Sequence, residues 1–465
     1  MKRVLAALLC LAFAPVARAA DAIPAADRAL VREIYEELLE IDTTHSGGST
    51  TAAAEAVAAR LRAAGIPDAD IALLGPSPKK GNLVARLRSG GSGGEKPLLL
   101  LAHLDVVEAK REDWTVEPFT LLEKDGYFYA RGTLDDKAMA AIFTQAVIRM
   151  KRESTPLRRD VILALTADEE GGDENGVDWL IREHRGLVDA GLVLNEGGGG
   201  RMRSGKYLVN GVQAAEKTYM DYELSVTNKG GHSSLPVKDN AIYRLANGLV
   251  RLEKLVFPIE LNDVTRAYLE RASQMESPEI AKDMRAVAKN PKDAAAVARL
   301  TAQASYNAML RTTCVATELA GGHAPNALPQ RATANVNCRI LPGHTAAEVQ
   351  KAIVGMLDDT EIKVVLAERE IAGPKAQLDP AVLAVVEKVS AEVFPGVPVV
   401  PMMSSGATDS KYFRLAGISA FGVSGLFVDV DDVRAHGRDE RLGVTQFYEG
   451  QNFLWLLVQA LAAKN

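Results

Sequence analysis

Leu98-Leu99-Leu100-Leu101-Ala102-His103-Leu104-Asp105 is the stretch whose reading decides the fold. Its first five residues are apolar without alternation, so a strand formed by them has no face to offer water. Such a strand is buried on both faces, as in a parallel sheet covered by helices on either side. The run ends on a histidine with a carboxylate two residues beyond. Open α/β sheets bind ligands outside the carboxyl ends of their strands, which places His103 where chemistry is expected. Taken alone, His-x-Asp suits a core or turn histidine equally well.

Working outward, helical patterns at 27–41 and 50–64 lead to a strand at 83–87 and a polar Gly/Ser stretch at 89–94. After the apolar strand come a helix at 136–150, a strand at 161–166, a helix at 176–184 and a strand at 192–194. Apolar strands alternating with helices specify an α/β fold, with a mainly parallel sheet sandwiched by helices. The texture changes after about 215. A half-exposed strand at 222–227, a helix at 241–255, strands at 312–319 and 332–341, a helix at 346–357 and a strand at 362–366 follow. That β-α-β-β-α-β order describes a smaller α+β domain of split-βαβ, ferredoxin-like form. Within it, 258–311 is rich in Ala, Glu, Lys and Met, and reads as an inserted helical hairpin or pair of helices. The expected organisation is a signal segment at 1–19, a first part of the larger domain at 20–216, an inserted domain at 217–372, and a second part at 373–465 ending in a helix at 445–463.

The chain has 465 residues, 47% hydrophobic and 25% charged, the composition of a globular protein long enough for two or three domains. Lys2 and Arg3, the apolar run 4–16 and Ala17-Arg18-Ala19 read as a secretory signal. Export to the periplasm or outside the cell is therefore expected. No stretch reaches the roughly 20 apolar residues of a membrane span. Removing 1–19 takes away Lys2, Arg3 and Arg18 and moves the formal charge from −6 to −9, which argues against nucleic acid as partner. Cys10 leaves with the signal. Cys314 and Cys338 either face each other across a hairpin as a disulfide or lie as two separate buried thiols.

Three expected strands end in groups able to bind metal. Beside His103, the strand 161–166 runs into Asp168-Glu169-Glu170-Gly171-Gly172, and 192–194 into Asn195-Glu196 and four glycines. Arg131-Gly132-Thr133-Leu134-Asp135-Asp136-Lys137 leads from an edge strand into a helix, where an aspartate by itself would be a cap. Unrelated solvated turns would not deliver carboxylates so uniformly.

With Gly230-Gly231-His232-Ser233-Ser234 and His436-Gly437-Arg438-Asp439-Glu440, these motifs occur in the order and context of the M20 family of zinc peptidases and amidohydrolases. The resemblance covers nearly the whole mature chain and is closest to the branch with carboxypeptidase S and the secreted N-acyl amino acid hydrolases. It implies two zinc ions, with Mn²⁺ or Co²⁺ tolerated. His103 and Glu196 would hold one ion, Glu170 and His436 the other, and Asp135 would bridge them. By the same resemblance Asp105 orients His103, Glu169 is the general base, the Asp135–Asp136 peptide is cis, and His232 stabilises the oxyanion, often from a partner subunit. Asn326 and Arg339 would hold the substrate carboxylate, and Gly406 and Thr408 belong to a substrate loop. His45, His184, His323 and His344 match no ligand motif.

The implied function is an exported dinuclear zinc hydrolase cutting a peptide or amide bond next to a free terminal carboxylate, as a carboxypeptidase or dipeptidase. An N-acyl amino acid hydrolase on the same scaffold is the alternative, because specificity lies in pocket walls rather than in ligands. Small peptides or N-acyl amino acids are the expected partners, with a homodimer open. A periplasmic amino-acid-binding protein is the reading from another class, and it would not need Glu169 beside a full ligand set.

Overall fold

The computed structural model describes residues 23–91, 94–172, 174–367, 373–376 and 378–464. The signal segment and Cys10 lie outside them. Among the described residues no helix is long and apolar enough to cross a membrane.

The strand Leu98–His103 is buried at all six positions and runs parallel to both Val161–Thr166 and Leu192–Asn195. Its side chains alternate between two cores. Leu98, Leu100 and Ala102 join the helices Ala25–Glu40, Lys137–Arg152 and Val444–Ala462 on one face, while Leu99 and Leu101 meet Val177, Leu180 and Phe413 on the other. A ten-stranded sheet results, parallel through its centre. Six of its strands were not read from the sequence: Lys206–Glu216, Val399–Ser404, Ser419–Gly422, Ile71–Leu74, Gly200–Arg203 and Phe427–Asp429. Asn210, Gln213 and Glu216 are buried along the first of these, so polar residues interrupt the apolar pattern that marks an interior strand. The expected edge strand before Arg131 is Tyr127–Tyr129, and it belongs to a separate three-stranded sheet with Leu122–Lys124 and Arg441–Gly443.

The chain leaves the large sheet at Glu216 and enters the smaller domain at once. There the order Thr313–Gly321, Arg331–Ile340, Thr218–Thr227, Lys363–Leu366 forms an antiparallel sheet. The helices Ala241–Leu252 and Ala346–Leu357 cover it around Tyr222, Leu224, Val336 and Ile353, as the split-βαβ reading requires. Cys314 and Cys338 are register partners, and they form a disulfide with Cα atoms 4.1 Å apart.

The insertion differs from its expected form. It contains four helices, Asp263–Ala272, Pro278–Lys289, Ala294–Thr301 and Ala304–Leu310, rather than two. Short polar caps divide them: Asn262 opens the first and Asp293 the third. Their common core of Leu269, Met284, Val287 and Leu300 takes in Val400 of the large sheet, and Arg271 donates to the Val399 carbonyl at 3.1 Å. The insertion is attached to the small domain by sequence but packs on the large one. Lys217 fastens the junction, donating to the carbonyls of Ala308 and Arg311 at 2.9 and 2.8 Å.

Candidate metal centre

Parallel strands deliver their carboxyl ends to one edge of the sheet, and the candidate residues gather there. His103 closes its strand with its ring nearly fully buried. Its Nδ1 lies 3.0 Å from the backbone carbonyl of Asp105 and 3.6 Å from that residue's carboxylate. Nε2 faces Asp135 Oδ1 at 2.9 Å. The other oxygen of Asp135 faces His436 Nε2 at 3.2 Å, and the same nitrogen is 2.9 Å from Glu170 Oε1. Asp135 thus divides its two oxygens between two imidazoles.

The backbone that presents these groups is held by buried carboxylates. Asp105 accepts the N–H of Glu169 at 3.1 Å and of Glu170 at 2.9 Å, fixing the turn that carries both glutamates. Glu440, fully buried, accepts the N–H groups of Gly132, Leu134 and Asp135 at 3.0, 2.7 and 3.1 Å and pairs with Arg131 Nη1 at 2.7 Å. Arg131 also donates to the Gly437 carbonyl at 2.9 Å, which ties the loop of Asp135 to the loop of His436. The Asp135–Asp136 peptide is cis. Asp136 stands at the helix start but makes no side-chain cap, and its Oδ2 is buried without a hydrogen-bond partner. On the far side of the turn Lys80 forms an ion pair with the buried Asp168, and His45 Nδ1 approaches Lys80 Nζ at 3.3 Å.

The electrostatics are those of a cation site. Burial pushes the carboxyls of Glu169 and Glu196 well above their ordinary range, and the charges of Asp135 and neighbouring carboxylates add to this against the opposing His103. Burial opposes charge on His103 too, but its bonds to Asp105 and Asp135 prevail and raise it. Hydrogen bonds to Asp135 and Glu170 lift His436 to about 10. Carboxylates crowded into a dry site call for positive charge, which a metal ion would supply. One ligand atom from each of His103, Asp135 and Glu170 lies within 4.8 Å of the others. Imidazole and carboxylate donors suit Zn²⁺, and also Mn²⁺ or Co²⁺. Glu196 lies at the end of its strand and lines a cavity together with Asp135 and Asp136. Next to it, Gly197 has φ +99°, and a Cβ there would meet Gln213 Oε1 at 1.7 Å.

Among the described interactions, the remaining candidates lie apart from this cluster. His232 is exposed in a two-stranded ribbon with Ala327–Leu328, its Nδ1 2.8 Å from Ser234 Oγ. Asn326 lies beside it and accepts the Ser233 N–H at 3.0 Å. Arg339 stacks over the Tyr219 ring and donates to the Ser405 carbonyl at 3.3 Å, which puts it against the loop containing Gly406. Thr408 of that loop is turned inward. Its N–H and hydroxyl reach Glu216, itself paired with Arg414 at 2.7 Å, all three buried.

Residues 99–460 match the model of peptidase family M20/M25/M40. The chain belongs to that family. A protein of this metal-dependent family is a hydrolase acting on C–N bonds, and the amino-acid-binding-protein reading falls away. Human N-fatty-acyl-amino acid synthase/hydrolase PM20D1 is 31% identical over 385 residues, covering 80% of this chain and 75% of its own. The probable carboxypeptidase S-like 2 of Dictyostelium discoideum is 26% identical, covering 78% and 71%. The solved M20 metallo-carboxypeptidase Sso-CP2 of Sulfolobus solfataricus shares the fold, with a TM-score of 0.67 at 17% identity over 92% of this chain and 98% of its own.

Arg131, Glu440, Glu216 and Arg414 were not singled out from the sequence, although Arg131 and Glu440 stand inside quoted motifs. Their signal is the pairing of a buried acid with a buried base, and the partners are 309 and 198 residues apart.

Proposed function

We propose that this protein is an exported, dinuclear zinc hydrolase that cleaves an amide bond next to a free terminal carboxylate, in a small peptide or an N-acyl amino acid. The observation that carries the reading is the position of Asp135, one oxygen toward His103 and the other toward His436, whose Nε2 also meets Glu170. Asp135 would serve both ions, His103 and Glu196 would hold one of them, and Glu170 and His436 would hold the other. Bound zinc supplies Lewis acidity, making a water more acidic and polarising the scissile carbonyl.

The chain's own groups divide the remaining work. Glu169, as a carboxylate, takes the proton of the attacking water and passes it to the leaving nitrogen. Asp105 keeps Glu169 and Glu170 in fixed relation, so that one handles the proton while the other holds metal. Arg339 and Asn326 receive the substrate carboxylate, Arg through its two-pronged guanidinium. His232 donates to the developing oxyanion. Being exposed on the smaller domain, it reaches the centre through domain closure or from the second subunit of a homodimer. The Cys314–Cys338 disulfide and the signal-like residues 1–19 support export.

Metal analysis of the purified protein, joined to a screen of dipeptides and N-acetyl amino acids with zinc and with chelator, tests the reading. Two metals per chain and chelator-sensitive release of a free amino acid are expected. One metal per chain, or equal activity toward substrates whose carboxylate is amidated, would overturn it.

A further inference from the structure

Thr408 and Asp409 are adjacent, buried, and bonded in opposite directions. Thr408 gives its N–H and its hydroxyl to one oxygen of Glu216, at 2.6 and 3.0 Å, and the hydroxyl oxygen accepts the Ser410 N–H at 3.3 Å. Nothing polar on Thr408 is left for a substrate. The other oxygen of Glu216 takes Arg414 Nη1 at 2.7 Å, and Arg414 Nη2 is anchored on the Ala420 carbonyl at 2.8 Å. Glu216 ends the strand Lys206–Glu216, and Lys217 after it leads into the smaller domain. The Lys217 N–H donates to the Ser404 carbonyl at 3.0 Å. The domain crossing therefore grips the substrate loop at both ends, Ser404 and Thr408. Between them the Ser405 carbonyl accepts from Arg339 at 3.3 Å.

Asp409 faces the other way. Its Oδ1 accepts Asn175 Nδ2 at 2.7 Å, and the same nitrogen donates to the Asp168 carbonyl at 3.0 Å, one residue before Glu169. Its Oδ2 lies 3.4 Å from Thr166 Oγ1, at the end of the strand Val161–Thr166. Asp409 stands at the start of the helix Ser410–Leu415 but makes no side-chain cap, so the ordinary reason for an aspartate there does not apply. Burying a carboxylate is costly, and what this one gains is a hold on the turn of Glu169. That turn needs holding, because Asp168 has φ +57°, a conformation uncommon for a residue with a Cβ. Asp105 secures the turn from one side through the Glu169 and Glu170 amides, and Asn175 with Asp409 secures it from the other.

We infer that Thr408 and Asp409 are positioning residues that set the grip on the substrate carboxylate and the turn of the general base in register with each other. Thr408 takes its place from Glu216 at the domain crossing, and Asp409 transmits it through Asn175 to Asp168. The inference rests on the proposed function, which gives Arg339 and Glu169 their roles. Reaction needs the bound carboxylate and the base held at one separation, and a misplacement of about 1 Å costs about 100-fold in rate. The two ends of the segment fail differently. Loosening Thr408 frees the loop beside Arg339 and weakens substrate binding, whereas loosening Asp409 frees the turn and slows the chemical step.

The test uses the zinc-loaded full chain and an N-acetyl amino acid as substrate, with zinc content measured for every variant. Asp409→Ala should lower kcat about 10- to 100-fold with KM little changed, and Asp409→Asn, which still accepts from Asn175, should recover most of the loss. Asn175→Ser keeps a helix cap and so spares folding, and it should reproduce the Asp409→Ala defect. The double variant should be no worse than either single one, because both break the same link. Thr408→Val should instead raise KM about fivefold with kcat little changed, and Thr408→Ser should restore it. In a Glu169→Gln background, which separates binding from turnover, Thr408→Val should weaken binding of the N-acetyl amino acid by the same factor and Asp409→Ala should not. Additive losses in the Asp409 and Asn175 pair, no recovery in Asp409→Asn, or kcat and KM moving alike at both positions would overturn the inference while native hydrolysis still upheld the proposed function. No turnover of any carboxylate-bearing amide by the native protein would overturn both.

Discussion

The Glu170 N–H donates to the Asp105 carboxylate at 2.9 Å, and through this bond the end of one sheet strand sets the geometry of its neighbour. Asp105 follows His103, and Glu170 follows the adjacent strand Val161–Thr166, so a carboxylate that makes no direct approach to Asp135 or His436 in the described interactions spaces two candidate ligands. Asp105→Asn should therefore cost about 10- to 100-fold in metal affinity or turnover, although no proposed ligand is removed. Zinc titration and kcat measured side by side check this. Unchanged values in both would mean the turn holds itself.

Glu169 and Glu170 are adjacent but proposed for different work. Glu169→Gln should retain its metals and lose about 10²–10⁴-fold in turnover, whereas Glu170→Ala should lose metal as well. A Glu169→Gln protein that folds normally yet purifies without zinc would assign the roles wrongly.

Glu440 has no proposed part in the reaction, yet its carboxylate satisfies three backbone amides and pairs with a buried arginine. Glu440→Ala should destabilise the protein by about 3–5 kcal/mol, because Arg131 is left charged and unpaired in the interior. Glu440→Gln, which keeps an acceptor, should cost less. Denaturant midpoints at constant m-value give the comparison.

Lys217 links the domain junction to the insertion, and burial, helped by Arg339, pushes it down to about 7. An unfolded lysine titrates near 10.4. Between those values the unfolded chain binds the extra proton, so unfolding free energy should increase with pH from about 7 toward 10.4, by at most about 1.4 kcal/mol per pH unit from this residue. Subtracting the pH profile of Lys217→Met from that of the native protein isolates the contribution. Parallel profiles would show that its hydrogen bonds to Ala308, Arg311 and the Thr313 hydroxyl hold the ammonium charged throughout.

His232 is exposed and lies apart from the carboxylate cluster in the described interactions, and its proposed role needs a change of arrangement or a second subunit. Its loss should cost about 2.7–4 kcal/mol of transition-state stabilisation with metal content intact. Mixing inactive His232→Ala and Glu169→Ala subunits under exchange should restore activity if His232 acts in trans. Failure despite demonstrated heterodimers would leave only closure within one chain, and a fully active His232→Ala protein would remove the role altogether.

Sequence by itself determined the strand Leu98–His103, the alternation of strands and helices around it, the split-βαβ order of the smaller domain, and the identities of the residues at the strand ends. These are local properties: hydrophobic period, turn chemistry and motif spacing are written in consecutive residues. Tertiary structure alone decided that Cys314 and Cys338 bond to each other, that the insertion packs on the large sheet, and that Lys206–Glu216 runs through the interior with buried polar residues. It also decided that Arg131 meets Glu440 and that Asp135 lies between two imidazoles. Each of these depends on which surfaces meet after residues far apart in the chain are brought together. A buried charge is tolerated only when such a partner arrives, so its place cannot be read from its neighbours in the sequence.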